Sequence, residues 1–396
     1  MALRYSKSIS PTFHFIYNNT LIHHRINHNT PTIVRFIETQ STPPTNSNFT
    51  EKQALTIAYL TNSCGLSLES AISASKRVNI KSTEKPDSVL ELLRSHGFAK
   101  NHISRLFSTY PTLILADPER TLRPKIEYFE SLGVVGPDLP KIICSSNVLQ
   151  NSLEHQIIPT CDFLKRYIRT DENLIYVLKR CSRVVMLNVE KVLVPKIHTL
   201  RAHGVPESHI GKLIMLQPGT LGARLDVFKE VTDAVTEMGF DPKTRSYLVA
   251  VSSMSAISKL NWEKKKEAYM SFGWSESEFN SAFKLQPMCV LSSEKKIRKL
   301  MDFFLNKAGL RASETVKCPT LFLTSLERRI IPRCSVLQVL MSRGLIGKDD
   351  VDVVWVLGSG RKCFETRFLT KYKDVAPEVI KAYEGEIGFQ GFDTKL

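Results

Sequence analysis

The chain has 396 residues, 42% hydrophobic and 23% charged, so it carries enough apolar material for a sizeable core. Its 54 Lys/Arg outnumber 39 Asp/Glu, a formal charge of +15 that points to a polyanion, either nucleic acid or an anionic membrane surface. There is no run of 18 apolar residues to make a spanning helix, and the eight cysteines show neither Cys-x-x-Cys nor zinc-finger spacing.

Residues 1–45 hold Arg4, Lys7, Arg25 and Arg35 against a single acid, Glu38, among many Ser, Thr, Asn and His. That is the composition of an organelle transit peptide, expected to be disordered and separate from the fold. Arginines spread through an Ile/Phe-containing stretch favour a mitochondrial over a chloroplast address. Residues 41–48 read as a linker, and Thr50 with Gln53 reads as a capping box. A short helix fits 67–78, and Lys85-Pro86-Asp87 opens the next. Residues 46–85 are thus expected to be linker and N-terminal capping helices.

From residue 86 the chain alternates helix and stop. Val89, Leu92 and Leu93 keep helical spacing up to Gly97, and Ile103, Leu106 and Phe107 do so up to Pro111. Asp117-Pro118 marks the next start, and Pro124 leads Ile126 and Phe129 to Gly133. The pattern returns about every 35 residues, with Gly97, Gly133, Gly204, Gly239, Gly273, Gly309 and Gly344 in one series and Pro124, Pro159, Pro195 and Pro332 in another. One glycine is missing near Ile168. Further starts are expected at Thr170, Pro206-Glu207, Asp241-Pro242 and Ser275 with Glu278. Val351–Leu357 fits either an extended segment or a short buried helix. A period in this range specifies an all-α solenoid, whose units bury an apolar face only against neighbours. The array is expected over 86–345 and a C-terminal cap over 346–396.

Charge concentrates late. Residues 255–345 carry 16 Lys/Arg against 8 Asp/Glu. Lys264-Lys265-Lys266, then Lys295-Lys296 with Arg298 and Lys299, then Arg328-Arg329 with Arg333 recur near one phase, and Arg361-Lys362 continues the series. Stacked repeats would align them into a basic stripe for nucleic acid; the plain alternative for each residue is a solvated helix face. Ile297, Leu300, Met301, Phe304 and Leu305 form the apolar face of the helix near 295–305, with Lys295, Lys296 and Lys299 away from it.

No catalytic constellation is legible. Gly358-Ser359-Gly360-Arg361 lacks the Gly-Lys-Ser/Thr of a phosphate loop and reads as a turn. His198 and His203 flank Leu200 without a carboxylate partner at ligand spacing, so neither metal nor cofactor is expected, and the scattered cysteines read as free thiols.

The repeat resembles the mitochondrial transcription termination factor (mTERF) family. The clearest copy runs Tyr110-Pro111, Ile114-Leu115, Asp117-Pro118-Glu119, Leu122, Pro124-Lys125, Phe129, Gly133. It returns as Leu187, Val189-Glu190, Leu193-Val194-Pro195-Lys196, Leu200, Gly204, more weakly at Gln286-Pro287, and again at Cys318-Pro319. The resemblance implies repeats of two α-helices plus a short 3-10 turn, curved into a half-ring superhelix with a basic groove for double-stranded nucleic acid. It also implies a part in organelle transcription, including termination, or, in the plant branch, in intron splicing and transcript processing. Arg183 stands where a first proline is expected, and the repeat ending at Gly273 has neither proline, so those units are expected to bend differently.

The expected partner is therefore double-stranded DNA, or structured RNA, bound by a monomer alongside organelle transcription machinery. Pentatricopeptide repeats share the period, but their asparagine-centred helix starts are missing here. A protein-binding scaffold is the rival class, distinguished by weak salt dependence.

Overall fold

The computed structural model describes residues 51–392. The leader, the 41–48 linker and Thr50 of the proposed capping box lie outside them. Every regular element among the described residues is helical. Most repeats have a first helix, a 3-10 turn and a longer second helix, as in Lys100–Thr109, Pro111–Leu115 and Pro118–Ser131. The third repeat runs Asp171–Arg180, Ser182–Met186, Val189–Ala202. The 3-10 turn there forms without a proline, and the residue in register with Pro111, first in its turn, is Ser182 rather than the expected Arg183.

Several second helices end in a Schellman turn, in which a left-handed residue lets two following amides cap the last carbonyls. Gly133 (φ 92°) donates to the Glu130 carbonyl, and Val134 donates to that of Phe129 at 3.0 Å. The buried Val134 then closes the end. In the second repeat the missing glycine is replaced by Arg169, at φ 75° and ψ −43°. Thr170 donates back to the Ile168 carbonyl at 3.0 Å, a γ-turn of the strained hand.

The prolines do something other than end helices. Four second helices open with one π-type turn, at Pro118–Leu122, Leu153–Ile157, Val189–Leu193 and Leu326–Ile330. Each is followed two residues later by Pro124, Pro159, Pro195 or Pro332, inside an α-helix that continues. Proline has no amide to give and crowds the preceding turn. A widened turn of one extra residue absorbs the clash. The second helices Leu225–Glu237, Lys259–Met270 and Glu294–Asp302 have no proline there and begin as regular α-helix.

Several expected starts are realised at the expected caps. Thr170, Ser275 and Ser67 accept from the amides of Asn173, Glu278 and Ser70. Asp241-Pro242 does not start a helix. Asp241 closes a turn onto the Lys243 amide, and Thr244 caps Arg245–Ser255. Val353–Gly358 is a short helix, so the extended alternative is wrong. The repeat lacking both prolines also lacks a 3-10 turn between Ser255 and Lys259.

Large side chains fill the joints between repeats. Tyr269 stacks on Trp274 with centroids 4.5 Å apart, and Phe322 of the next repeat meets both edge-on. The Trp274 indole N–H donates onward to Ala312 O at 3.1 Å and Thr315 Oγ1 at 3.0 Å, tying one unit to the next. The helix Ile331–Ser342 is buried along most of its length, between the main core and a C-terminal cluster around Phe364 and Val379.

Candidate nucleic-acid interface

Second helices begin at a regular interval. Their caps are Asp117, Ser152, Asn188, Arg224, Ser258, Ser293, Ser325 and Gly360. Some neighbouring second helices pack directly on one another, as Lys259–Met270 does on Glu294–Asp302 and Val194–Ala202 on Leu225–Glu237. Helix N-termini carry partial positive charge and favour anions.

The expected basic residues divide into three groups. Lys264, Lys295, Arg328 and Lys362 are exposed, and among the described residues their side chains make no ion pair. Lys295, Arg328 and Lys362 occupy the first turn of successive second helices, and Lys264 lies in the second turn of the preceding one.

The second group is exposed or half-buried and paired with acids. Lys266 pairs with Glu276, Arg298 with Glu294 at 2.9 Å, Lys299 with Glu327 and Arg361 with Glu365 at 2.7 Å. The Lys299 ammonium holds the Glu327 carboxyl below its ordinary range. Arg298 also donates to Ser271 Oγ at 3.1 Å. Such exposed pairs are weak and open readily to a competing phosphate.

The third group points inward. Arg333 is fully buried, its guanidinium donating to the carbonyls of Val356, Leu357 and Ser359 at 3.0, 2.9 and 2.7 Å, with Cζ 4.5 Å from the Phe364 ring centroid. Burial, aided by the neighbouring Arg329 charge, pushes its pKa down to about 10. Arg329 donates to Gly358 O and Ser359 O at 3.1 and 2.5 Å. Lys265 donates to Val290 O at 2.6 Å and is shifted down by burial. Lys296 is half-buried and shifted down for the same cause. The aligned stripe of all twelve cations expected from phase is thus corrected: Arg333, Arg329 and Lys265 are internal ties, because a long cation can reach the carbonyls of the next repeat.

The inward ties recur. Lys125 donates to Leu149 O at 2.6 Å, and Lys196 donates to Leu221 O and Ala223 O, both at 2.5 Å. For the three lysines the acceptors lie in or beside the 3-10 turn of the following repeat, and for Arg333 they lie at the end of the helix Val353–Gly358. The tie stands eight residues beyond the cap in the proline-bearing repeats (Asp117 to Lys125, Asn188 to Lys196, Ser325 to Arg333). It stands seven beyond in the repeat without proline (Ser258 to Lys265). The extra residue of the π turn accounts for the difference. In the second repeat Thr160 takes the place, donating to Leu187 O at 3.2 Å with Gln156 beside it.

Two exposed cations were not anticipated. Arg120 and Lys191 occupy the same position relative to their caps as Arg328 does to Ser325. Their isolation outside any basic run hid them; counting three residues from each cap would have found them.

The residues of the repeat array match a family model directly: the mTERF model covers residues 90–245 and 247–365. The chain belongs to the mTERF family. It is 18% identical over 282 residues to the Arabidopsis thaliana protein named transcription termination factor MTERF15, mitochondrial, covering 71% of this chain and 55% of that one. It is 21% identical over 243 residues to transcription termination factor MTERF8, chloroplastic, of the same plant, covering 59% and 47%. The chain spans about half the length of these curated relatives. As an mTERF protein it is an α-helical solenoid. Among the described residues no group of three or more His, Cys, Asp or Glu is placed to hold a metal.

Proposed function

We propose that this mTERF protein is an organellar double-stranded nucleic-acid binder that regulates transcription, including its termination. The observation that carries the reading is the exposed series Lys264, Lys295, Arg328 and Lys362 in the first two turns of four successive second helices. Exposed cations on successive repeats suit a phosphate backbone, which positions the duplex, while a few base-edge contacts select the site. A clamp of this kind obstructs or seats a polymerase without chemistry of its own. The names of the two plant relatives support the transcriptional role and an organelle address, mitochondrial or chloroplastic.

The test is titration against duplex DNA, duplex RNA and single-stranded RNA between about 50 and 200 mM salt, where release of counterions from ~6–10 phosphates lowers affinity ~10³–10⁵-fold. Duplex preference with a steep slope supports the reading. Preference for duplex RNA shifts it to splicing or transcript processing. Single-strand preference or salt-insensitive binding contradicts it.

A further inference from the structure

The last repeat holds a cavity of about 440 Å³ between the helix Val353–Gly358, the segment that precedes it and the helical turn Glu365–Thr370. Its wall carries Trp355, which is 46% exposed. An indole this open is unusual, because burying it would remove a large apolar surface from water. The Arg367 guanidinium lies over the indole ring at 5.0 Å from its centroid, and Lys371 Nζ lies 4.9 Å from the Tyr372 ring centroid. Both cations are exposed, and among the described residues neither has an ion pair.

The acids of the cavity are already engaged. Asp350 accepts from the Gly347 amide at 3.1 Å, and Asp352 caps its helix by accepting from the Trp355 amide at 3.0 Å. Both carboxylates keep their charge but are fixed on backbone amides, so the charged groups free to turn onto a ligand are Arg367 and Lys371, each carried on a π surface.

We infer that this cavity binds one unpaired nucleotide, its base stacked on the Trp355–Arg367 pair and its phosphate held by Lys371. Guanidinium planes and aromatic rings are the two surfaces on which unstacked bases settle. A nucleotide offers both the π face and the anion that this lining complements, and the volume suits a ligand of that size. Trp355 stands on the helix Val353–Gly358, and Arg367 on the helical stretch that begins at Arg361. The choice of ligand rests on the nucleic-acid reading above; the cavity itself does not involve the exposed series.

The experiment follows Trp355 emission, taken as the difference between the full chain and its Trp355→Phe variant, during titration with a single-stranded tetranucleotide. Blunt duplex binding is measured in parallel. The expected result is quenching by the tetranucleotide, weakened about tenfold in Arg367→Gln, with blunt-duplex affinity retained in that variant. Absence of quenching while blunt duplex still binds overturns the inference. Equal quenching by pyrophosphate overturns it too, since the base would then contribute nothing, as does quenching by an acidic peptide but not by the tetranucleotide. Quenching by the tetranucleotide without blunt-duplex binding supports the pocket and contradicts the duplex clamp.

Discussion

Lys196 lies wholly inside the protein, its ammonium donating to the carbonyls of Leu221 and Ala223 in the next repeat, both at 2.5 Å. It answers a problem every solenoid unit has: the 3-10 turn leaves carbonyls that its own helices do not satisfy. A buried carbonyl without a donor is costly, so the tie fixes how one repeat sits on the next. Replacing Lys196 with Met keeps the stem and removes the donor. The expected loss is about 3 kcal/mol, from ~1–3 kcal/mol per stranded carbonyl, read as a lower urea midpoint. An unchanged midpoint would show that water replaces the ammonium.

The same lysine predicts a pH dependence. Burial pushes its pKa down to about 8, below the 10.5 of an unhindered lysine. Between those values the folded state binds fewer protons than the unfolded one, so this group's contribution rises with pH and is lost as pH falls through about 8. The stability gap between the native chain and Lys196→Met should widen from pH 8 to pH 10.5. A flat gap would mean that burial does not shift this lysine, and a narrowing one that the tie is strongest when charged.

Arg169 and Gly204 form a second test. Both end a second helix at positive φ, 75° and 81°. Arg169→Gly should raise stability by about 1 kcal/mol, since a side chain at positive φ costs ~1–2 kcal/mol and glycine returns some of that as unfolded-state entropy. Gly204→Ala should cost about as much, although open space surrounds the added methyl. Equal melting temperatures for all three proteins would remove the strain argument.

The thiols offer a check on packing. All eight cysteines are free, but Cys363 alone is exposed. Burial drives the Cys289 thiol up to about 12 and pushes Cys334 up as well. An aromatic disulfide reagent should therefore find one fast thiol in the folded protein and eight after denaturation, and Cys363→Ser should abolish the fast phase. Several fast thiols would show that the repeats open.

Much of this architecture is legible in the sequence, because glycine and proline mark backbone events that few other residues tolerate. The 35-residue period, the Schellman ends and the Thr170 and Ser275 caps all follow from such residues. The prolines misled in one respect. Pro124, Pro159, Pro195 and Pro332 read as boundaries, whereas an extra residue in a π turn lets the helix pass through them. The interface was harder to read for a different reason. Lys264, Lys265 and Lys266 are consecutive and chemically identical, yet one is exposed, one binds the Val290 carbonyl and one pairs with Glu276. Helical rotation of about 100° per residue separates their surroundings, and a lysine stem serves either solvent or a buried acceptor. Arg328, Arg329 and Arg333 divide in the same way, so net charge located the region without separating its contacts from its ties.

The most direct test of the central claim is the salt slope of duplex binding in a variant carrying Lys264→Gln, Lys295→Gln, Arg328→Gln and Lys362→Gln. If the exposed cations hold phosphates, the slope should fall by about one for each contact removed while the urea midpoint stays within about 0.5 kcal/mol of the native chain. A slope and affinity equal to the native chain's would contradict the proposed interface.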